Sequence, residues 1–209
     1  MKKFFTAIPL QVQEPLQKYK YESVDNSKLN MSEKTSFPII PIINGYAQKG
    51  ETIRVIALVT GNPVGEKNYK ELCEEVESIC DIRGLTCPKG VEKIVIPENQ
   101  NVATHVSTFQ QMIDFVEDDD ELFACMTFGT KPLCQAMLMA VQYAYRIKQN
   151  TSIECIAYGE IKRPNDKESE WVGRIYDMTA LIQLDEIVRV LAERKTQNPK
   201  AMIDRILDL

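Results

Sequence analysis

The sequence predicts an α/β fold in which a mostly parallel sheet is covered by helices on both faces. From residue 53 onward, short apolar segments alternate with helical stripes, and repeated strand–helix units of this length form parallel sheets. Residues 122–126 are apolar without polar alternation, as expected of a strand covered on both faces. The 209 residues suit one sizeable core. We therefore expect a single domain over residues 1–193, followed by a helical tail or the stub of a linker to an absent effector over residues 194–209.

Five apolar segments are predicted as the main strands. They cover residues 3–10, 53–59, 91–96, 122–126 and 153–158. Polar residues follow Leu10, so the first segment is typical of a strand rather than of an export signal. The sequence contains no apolar run near the ~18 residues that a membrane helix needs. We therefore expect a cytoplasmic protein without a membrane segment.

Helical stripes separate these strands. Apolar residues recur at helical spacing over residues 69–80 and 106–116, and residues 181–193 form a last long helix. The helix over residues 132–148 is apolar almost all round. It is either a central core helix or a helix buried between the sheet and a second copy of the chain. The units together predict a Rossmann-like fold, and the second alternative predicts a homodimer.

Two parts of the chain have weaker patterns. Residues 12–50 form a variable, mostly polar insertion after the first strand. Within it, Pro38 and Pro41 fall among four isoleucines, and because proline interrupts a central strand we interpret residues 37–45 as an edge segment or covering loop. Residues 162–171 are predicted as a polar hairpin-like loop.

Composition limits the classes of partner. A net charge of −5 argues against binding to duplex nucleic acid, although a pocket on an acidic protein can be locally basic. Cys73 and Cys80 would share a helix face, whereas Cys87 falls in the following loop, so we interpret the cysteines as free thiols and expect no metal site. His105, the only histidine, is interpreted as a surface or hydrogen-bonded residue, and acidic residues 117–121 as a solvated turn.

The main candidate site follows the strand at residues 122–126. Gly129 permits a tight turn, the next helix offers free amide groups at its start, and Lys131 adds a positive charge. Together with Thr127, Phe128 and Thr130, these residues predict an anion site. The alternative is a plain strand-to-helix turn with an exposed lysine.

Further polar clusters lie at neighbouring strand ends, where open parallel sheets bind their ligands. These candidate ligand contacts are Pro9, Leu10, Gln11, Thr60, Gly61, Asn62, Pro63, Asn99 and Asn101. Such loops are also common turns, and we interpret Asp177 and Thr179 as a cap of the last helix. The glycine-rich dinucleotide motif, the P-loop and the nucleophile elbow do not occur in the sequence.

The segment Thr127-Phe128-Gly129-Thr130-Lys131-Pro132, with its strand before and apolar helix after it, resembles the strand-to-helix motif of CARF (CRISPR-associated Rossmann fold) domains. The segment Ile175-Tyr176-Asp177-Met178-Thr179, followed by a long helix, is similar to the end of these domains. The resemblance spans residues 2–193. Met126-Thr127-Phe128-Gly129 stands where some relatives have Asp-x-Thr-His-Gly.

The resemblance implies a homodimer that binds a cyclic oligoadenylate, the second messenger of type III CRISPR antiviral defence, across its two-fold axis and controls an effector. Gly129, Thr130 and Lys131 would hold phosphates. Residues 60–63 would contact ribose or adenine, and residues 9–11 with residues 99–101 would line the adenine pockets. Tetra- or hexa-adenylate is the expected ligand, and no cofactor is expected.

Three alternatives stay open. A metal-independent ring nuclease would use a ribose 2′-hydroxyl as nucleophile, with Lys131 and Thr130 beside the reacting phosphate. A mononucleotide-using enzyme on the same sheet would act as a monomer. An interaction domain would dock another protein through the helix at residues 132–148 and would bind no nucleotide.

Overall fold

The apolar segments form the sheet that their pattern predicts. The computed structural model describes residues 1–162 and 171–207. Its strands are β1 (Lys2–Ala7), β2 (Tyr19–Ser23), β3 (Met31–Thr35), β4 (Ile53–Thr60), β5 (Val91–Ile96), β6 (Glu121–Cys125), β7 (Ser152–Lys162) and β8 (Val172–Asp177). Its helices are α1 (Ile39–Tyr46), α2 (Pro63–Arg83), α3 (Val102–Ile113), α4 (Lys131–Ile147), α5 (Thr179–Glu193) and α6 (Pro199–Leu207). The loop predicted over residues 162–171 lies, apart from its two ends, outside the described residues.

These strands form one sheet in the order β3-β2-β8-β7-β6-β1-β4-β5. The central strand β1 is hydrogen-bonded in parallel to β4 on one side and to β6 on the other. Strands β5 and β7 continue the parallel part outward. Strand β8 then pairs antiparallel with β7, and β2 and β3 extend this mixed edge. The predicted mostly parallel sheet is therefore confirmed.

Successive side chains along a strand point to opposite faces, so the sheet carries an apolar core on each face. Phe4 of β1 packs with α1 and α2, stacked on Phe123 of β6 with 4.5 Å between the ring centroids. The next residue, Phe5, lies in the opposite core with α3 and α4. The prediction of one α/β domain with helices on both faces is confirmed.

The interpretation of residues 37–45 as an edge segment or covering loop is wrong. Helix α1 occupies this segment, with its isoleucines buried in the core. Pro38 is the N-cap residue and Pro41 lies in the first turn, where backbone N–H groups have no partner within the helix, so neither proline breaks the helix. The polar residues before α1 form β2 and β3, which pair antiparallel with each other.

The helix boundaries follow local chemistry. Asn62 begins α2 by accepting a hydrogen bond from the Gly65 amide, and α2 ends at Gly84 in the left-handed conformation. Helix α6 in the tail has no buried residue. Within the described part of the chain, no helix combines the length and apolarity that crossing a membrane requires.

A buried ion pair fixes β1 at the amino-end edge of the sheet. Lys3 is fully buried, and its Nζ lies 2.6 Å from the carboxylate of Asp120, which is 1% exposed. Nζ also donates to the Phe115 carbonyl at 2.6 Å and to the Glu117 carboxylate at 2.8 Å. The hydrogen bond from Lys3 holds the pKa of Glu117 below its usual range. The prediction of a solvated turn at residues 117–121 is therefore wrong for Asp120, because a buried lysine needs a buried counter-charge.

Removing the Asp120 charge should destabilise the fold. We expect Asp120→Asn to lower the free energy of unfolding by about 3 kcal/mol, because it leaves a buried ammonium group without its closest counter-charge. The exposed residue Asp114, at the end of α3, provides a control with the same change of charge. Asp114→Asn should change stability by less than about 0.5 kcal/mol. Urea unfolding of both variants measures the difference, and equal midpoints would contradict this role of Asp120.

Candidate functional site

The loops that follow β1 and β6 meet at the point where the order of the parallel strands reverses direction across the sheet. After β1, and after β2 and β3 at the far edge, the chain adds β4 and β5 on one side of β1 and then returns to add β6 and β7 on the other. In open parallel sheets, ligands bind in the crevice at such a point, beyond the carboxyl ends of the strands. Here the crevice lies beyond Ala7 and Cys125, the last residues of β1 and β6.

A hollow of about 290 Å³ occupies this position, and we call it the strand-end hollow. Its lining comprises Ile8, Pro9, Leu10, Gln11, Thr60, Ile96, Gln100, Thr127, Phe128, Gly129, Thr130 and Leu133. Apolar walls alternate with hydroxyl and amide groups, and none of these residues has an ionisable side chain. The strand-end hollow can therefore hold a flat group with hydrogen-bonding edges, but its lining has no side chain for proton transfer.

The hollow brings together only part of the predicted site. The predicted residues that line it are Pro9, Leu10, Gln11, Thr60, Thr127, Phe128, Gly129 and Thr130. The predicted residues outside its lining are Gly61, Asn62, Pro63, Asn99, Asn101 and Lys131. The residues outside the lining are close sequence neighbours of residues inside it. They belong to the same loops but do not face the hollow.

The turn from β6 into α4 brings backbone close to the central strand. Gly129 has φ +98°, and a Cβ atom there would lie 3.1 Å from both the Ala7 Cβ and a Leu133 methyl carbon. Thr130 is the N-cap residue of α4, and its hydroxyl accepts from the Leu133 amide at 3.4 Å. Lys131 is the first residue of α4 and is exposed. The positive end of the α4 dipole therefore lies beside the hollow, and Lys131 follows the lining residue Thr130 directly in sequence.

Gln100 lines the hollow and belongs to the predicted loop at residues 99–101, in which only Asn99 and Asn101 were named singly as ligand contacts. Its Oε1 accepts a hydrogen bond of 2.7 Å from the Thr130 hydroxyl, which joins the loop after β5 to the turn before α4. Gln100 lies between Asn99 and Asn101, both of which were predicted. The same strand-end argument covers all three positions, and the orientation of each side chain decides which one faces the hollow.

The predicted asparagines have structural roles instead. The Asn62 side chain caps α2 and donates to Glu98 at 2.8 Å. The Asn101 side chain accepts from the Thr104 amide at 2.9 Å and so caps α3. The Asn99 side chain accepts from the Asn101 amide at 3.0 Å. These amides shape the loops around the strand-end hollow.

A fully buried asparagine on α2 holds the loop at residues 9–11. The Asn68 side chain donates to the Pro9 carbonyl at 2.8 Å and to the Gln11 carbonyl at 3.0 Å. The sequence does not indicate this role of Asn68, because the Pro9 carbonyl that it binds lies 59 residues away. On the other side of the hollow, the Thr127 hydroxyl accepts from the Gly159 amide at 2.7 Å. Both sides of the crevice are therefore held by hydrogen bonds that are buried or partly buried.

The remaining candidates lie away from the hollow. The Asp177 carboxylate accepts from the Thr179 amide at 3.0 Å at the start of α5, whereas the Thr179 hydroxyl accepts from the Ile156 amide at 2.9 Å. The capping interpretation is therefore wrong for Thr179, and the N-cap residue itself is Met178. His105 lies half-buried on α3, and neither shielded ring nitrogen has a hydrogen-bond partner among the described residues, so the hydrogen-bonded part of the interpretation is wrong. In residues 1–162 and 171–207, no cluster of three or more His, Cys, Asp or Glu side chains could hold a metal ion.

Substitution of Gly129 should strain the turn in two ways. Gly129→Ala imposes a side chain both at positive φ and against Ala7 and Leu133, and we expect a loss of about 2 kcal/mol in stability. Gly50 is a matched control, because it has φ +87° with nothing within 4 Å of a Cβ. Gly50→Ala retains the backbone strain without the collision, so chemical denaturation should show the smaller loss. An equal loss in both variants would show that close packing at Gly129 contributes nothing.

Comparison with known proteins does not assign the chain to a family. No family model matches it, and no curated protein matches its sequence. The function therefore has to be inferred from the chemistry of the strand-end hollow and the surfaces beside it.

Proposed function

We propose that this protein is a sensor that binds a cyclic oligoadenylate across the two-fold axis of a homodimer and controls an effector of type III CRISPR defence. The main observation is the strand-end hollow, an uncharged polar and apolar cavity beside the start of α4 and Lys131. This combination suits a ligand made of flat bases and anionic linkages. The resemblance of residues 127–132 to the CARF motif supports the same class of ligand.

Each part of an adenylate has a matching group at the hollow. Apolar side chains such as Leu10 and Phe128 offer surface for an adenine, and the amides of Gln11 and Gln100 offer hydrogen bonds to its edge. The hydroxyl of Thr60, which lines the hollow, would form a hydrogen bond with a ribose hydroxyl. A phosphate at the mouth would meet the amide groups at the start of α4 and the charge of Lys131.

An apolar surface beside the hollow supports the homodimer, and we call it the α3–α4 face. It surrounds a hollow of about 350 Å³ lined by Val102, His105, Val106, Phe109, Pro132, Gln135, Ala136 and Met139. Val102 is 78% exposed, Val106 50% and Met139 47%, which is unusual for three neighbouring apolar side chains.

The position of the α3–α4 face suits a second copy of the chain. The face begins at Val102 and Pro132, directly after the loops that form the rim of the strand-end hollow. Two copies joined here about a two-fold axis would bring two strand-end hollows to one side of the dimer. A ring with internal rotational symmetry matches such an isologous arrangement, in which each contact occurs twice.

Binding is favoured over cleavage of the ring. The lining of the strand-end hollow has no carboxylate, imidazole or thiol that could act as a general base. In-line attack by a ribose 2′-hydroxyl would depend on alignment alone, with Lys131 and Thr130 beside the phosphate. Recovery of the ligand after binding distinguishes the two activities.

Calorimetric titration with cyclic tri-, tetra- and hexa-adenylate tests the proposal. We expect tight binding of one ring per two chains, with the recovered ring intact on chromatography. A linear product would establish a ring nuclease. Binding of AMP or ATP by a monomer, with no preference for rings, would favour a mononucleotide enzyme. No binding of any nucleotide would overturn the proposed function.

Lys131 should contribute directly to affinity. Lys131→Ala removes a charged hydrogen bond to phosphate, so we expect binding to weaken by about 1.5–3 kcal/mol. Lys148, at the other end of α4, is the control with the same change of charge. Lys148→Ala should leave the ring affinity unchanged. Equal affinities of both variants, measured by the same titration, would exclude Lys131 from the site.

A charge on the α3–α4 face should break the dimer. Val106→Glu would bury a carboxylate in the interface, so we expect a monomer by size-exclusion chromatography with light scattering, and ring affinity at least ~10-fold weaker. Ile82 on α2 is 68% exposed, and Ile82→Glu is the control. A dimeric Val106→Glu variant with unchanged affinity would place the interface elsewhere.

A further inference from the structure

A second feature lies at the amino-end edge of the sheet, opposite the strand-end hollow. Three cysteines, Cys73 and Cys80 of α2 and Cys87 of the loop before β5, line one hollow of about 580 Å³. All three are free thiols. Cys80 is 7% exposed, whereas Cys87 is half-buried in the wall of the hollow. A small oxidant can therefore reach Cys87 from the solvent.

Cys80 and Cys87 line the same hollow, and each thiol affects the ionisation of the other. The neutral Cys87 thiol also donates to the Gly90 carbonyl at 3.2 Å. When Cys87 ionises, the Cys80 thiol and the Val55 amide can donate to its sulfur. The contact with Cys80 lowers the pKa of Cys87, and the same contact together with burial raises the pKa of Cys80. Cys87 is thus the better nucleophile at neutral pH.

Cys73 lies on the same wall but is a poorer member of a thiol pair. Burial raises the pKa of Cys73, and its side chain contacts the Tyr69 hydroxyl rather than another sulfur. Because successive cysteines are seven residues apart in both cases, the sequence spacing alone does not show whether Cys80 pairs with Cys73 or with Cys87. The end of α2 at Gly84 and the turn of the following loop bring Cys87 back to Cys80.

We propose that Cys80 and Cys87 form a reversible disulfide when the protein meets a peroxide, with Cys87 as the reacting thiol and Cys80 as the resolving thiol. The Cys87 thiolate attacks the peroxide O–O bond, giving a sulfenic acid at Cys87 and hydroxide. The Cys80 sulfur then attacks the Cys87 sulfur, the S–S bond forms, and the hydroxyl leaves as water with the Cys80 proton. The pair loses two electrons, the peroxide gains them, and an external dithiol reverses the change.

Mass spectrometry of the full chain treated with hydrogen peroxide tests this assignment. We expect a loss of about 2 Da per chain, from two hydrogen atoms, and a non-reduced peptide map that joins Cys80 to Cys87. Dithiothreitol should restore the original mass. In Cys80→Ser, oxidation should stop at a Cys87 sulfenic acid that dimedone traps. Cys73→Ser is the matched control and should form the bridge as the wild-type protein does.

A measurement on the wild-type protein covers the case of a variant that fails to fold. Iodoacetamide at neutral pH should alkylate Cys87 more than ~10-fold faster than Cys80 or Cys73, because the thiolate is the reacting species. Alkylation of Cys87 no faster than of the other two would overturn its assignment as the reacting thiol. A peroxide-treated protein that retains both hydrogen atoms, or that joins Cys73 to either partner, would overturn the pairing. These outcomes involve no nucleotide and are separate from those of the ring titration.

Discussion

The structure depends on the parallel pairing of β1 with a strand on each side. Every backbone hydrogen-bonding group of this strand faces β4 or β6, so β1 cannot shift without breaking both ladders. The two ends of β1 then have different consequences. At its amino end, Lys3 is buried against Asp120 and anchors the strand. At its carboxyl end, the chain must leave the sheet between diverging neighbours, and the strand-end hollow forms there.

The electrostatics of the strand-end hollow differ from those of the chain as a whole. The chain has a net charge of −5, yet the lining of the hollow includes no carboxylate. Near the rim, the Glu98 side chain accepts a hydrogen bond from Asn62. In the proposed complex, a phosphate at the mouth would meet the positive end of the α4 dipole and the charge of Lys131, and distant negative charges would be screened within about 10 Å at 0.1 M salt.

Periodicity carried most of the fold prediction. The parallel strands and the helices between them follow apolar patterns that depend on near neighbours in sequence, and these were predicted with small errors at the ends. Helix α1 was missed because proline was weighed as a strand breaker, whereas Pro38 and Pro41 fall where a helix has no need of their N–H groups. Strand β2 depends on pairing with β8, which lies about 150 residues further along the chain, and β3 pairs in turn with β2.

The site was predictable as a set of loops but not as a set of side chains. The strand-end rule placed residues 9–11, 60–63, 99–101 and 127–131 together, and the structure brings members of each loop to one hollow. It could not distinguish Gln100, which faces the hollow, from Asn99 and Asn101, which hydrogen-bond within their own loop. That distinction depends on the first turn of α3, where the Thr104 amide donates a hydrogen bond to the Asn101 side-chain oxygen.

Helix α2 joins the two edges of the sheet and provides a physical route between them. Its 21 residues span about 30 Å, from the Asn62 cap near the strand-end hollow to the last turn beside Cys87. The buried Asn68 side chain joins the helix to the loop at residues 9–11 through two hydrogen bonds, so a shift of α2 along its axis would move Pro9 and Gln11. Coupling between two sites requires an element whose position both of them affect. A disulfide between Cys80 and Cys87 would therefore change the strand-end hollow only if it displaced α2. The side chains of α2 pack in the core with β1 and β4, which opposes such a displacement.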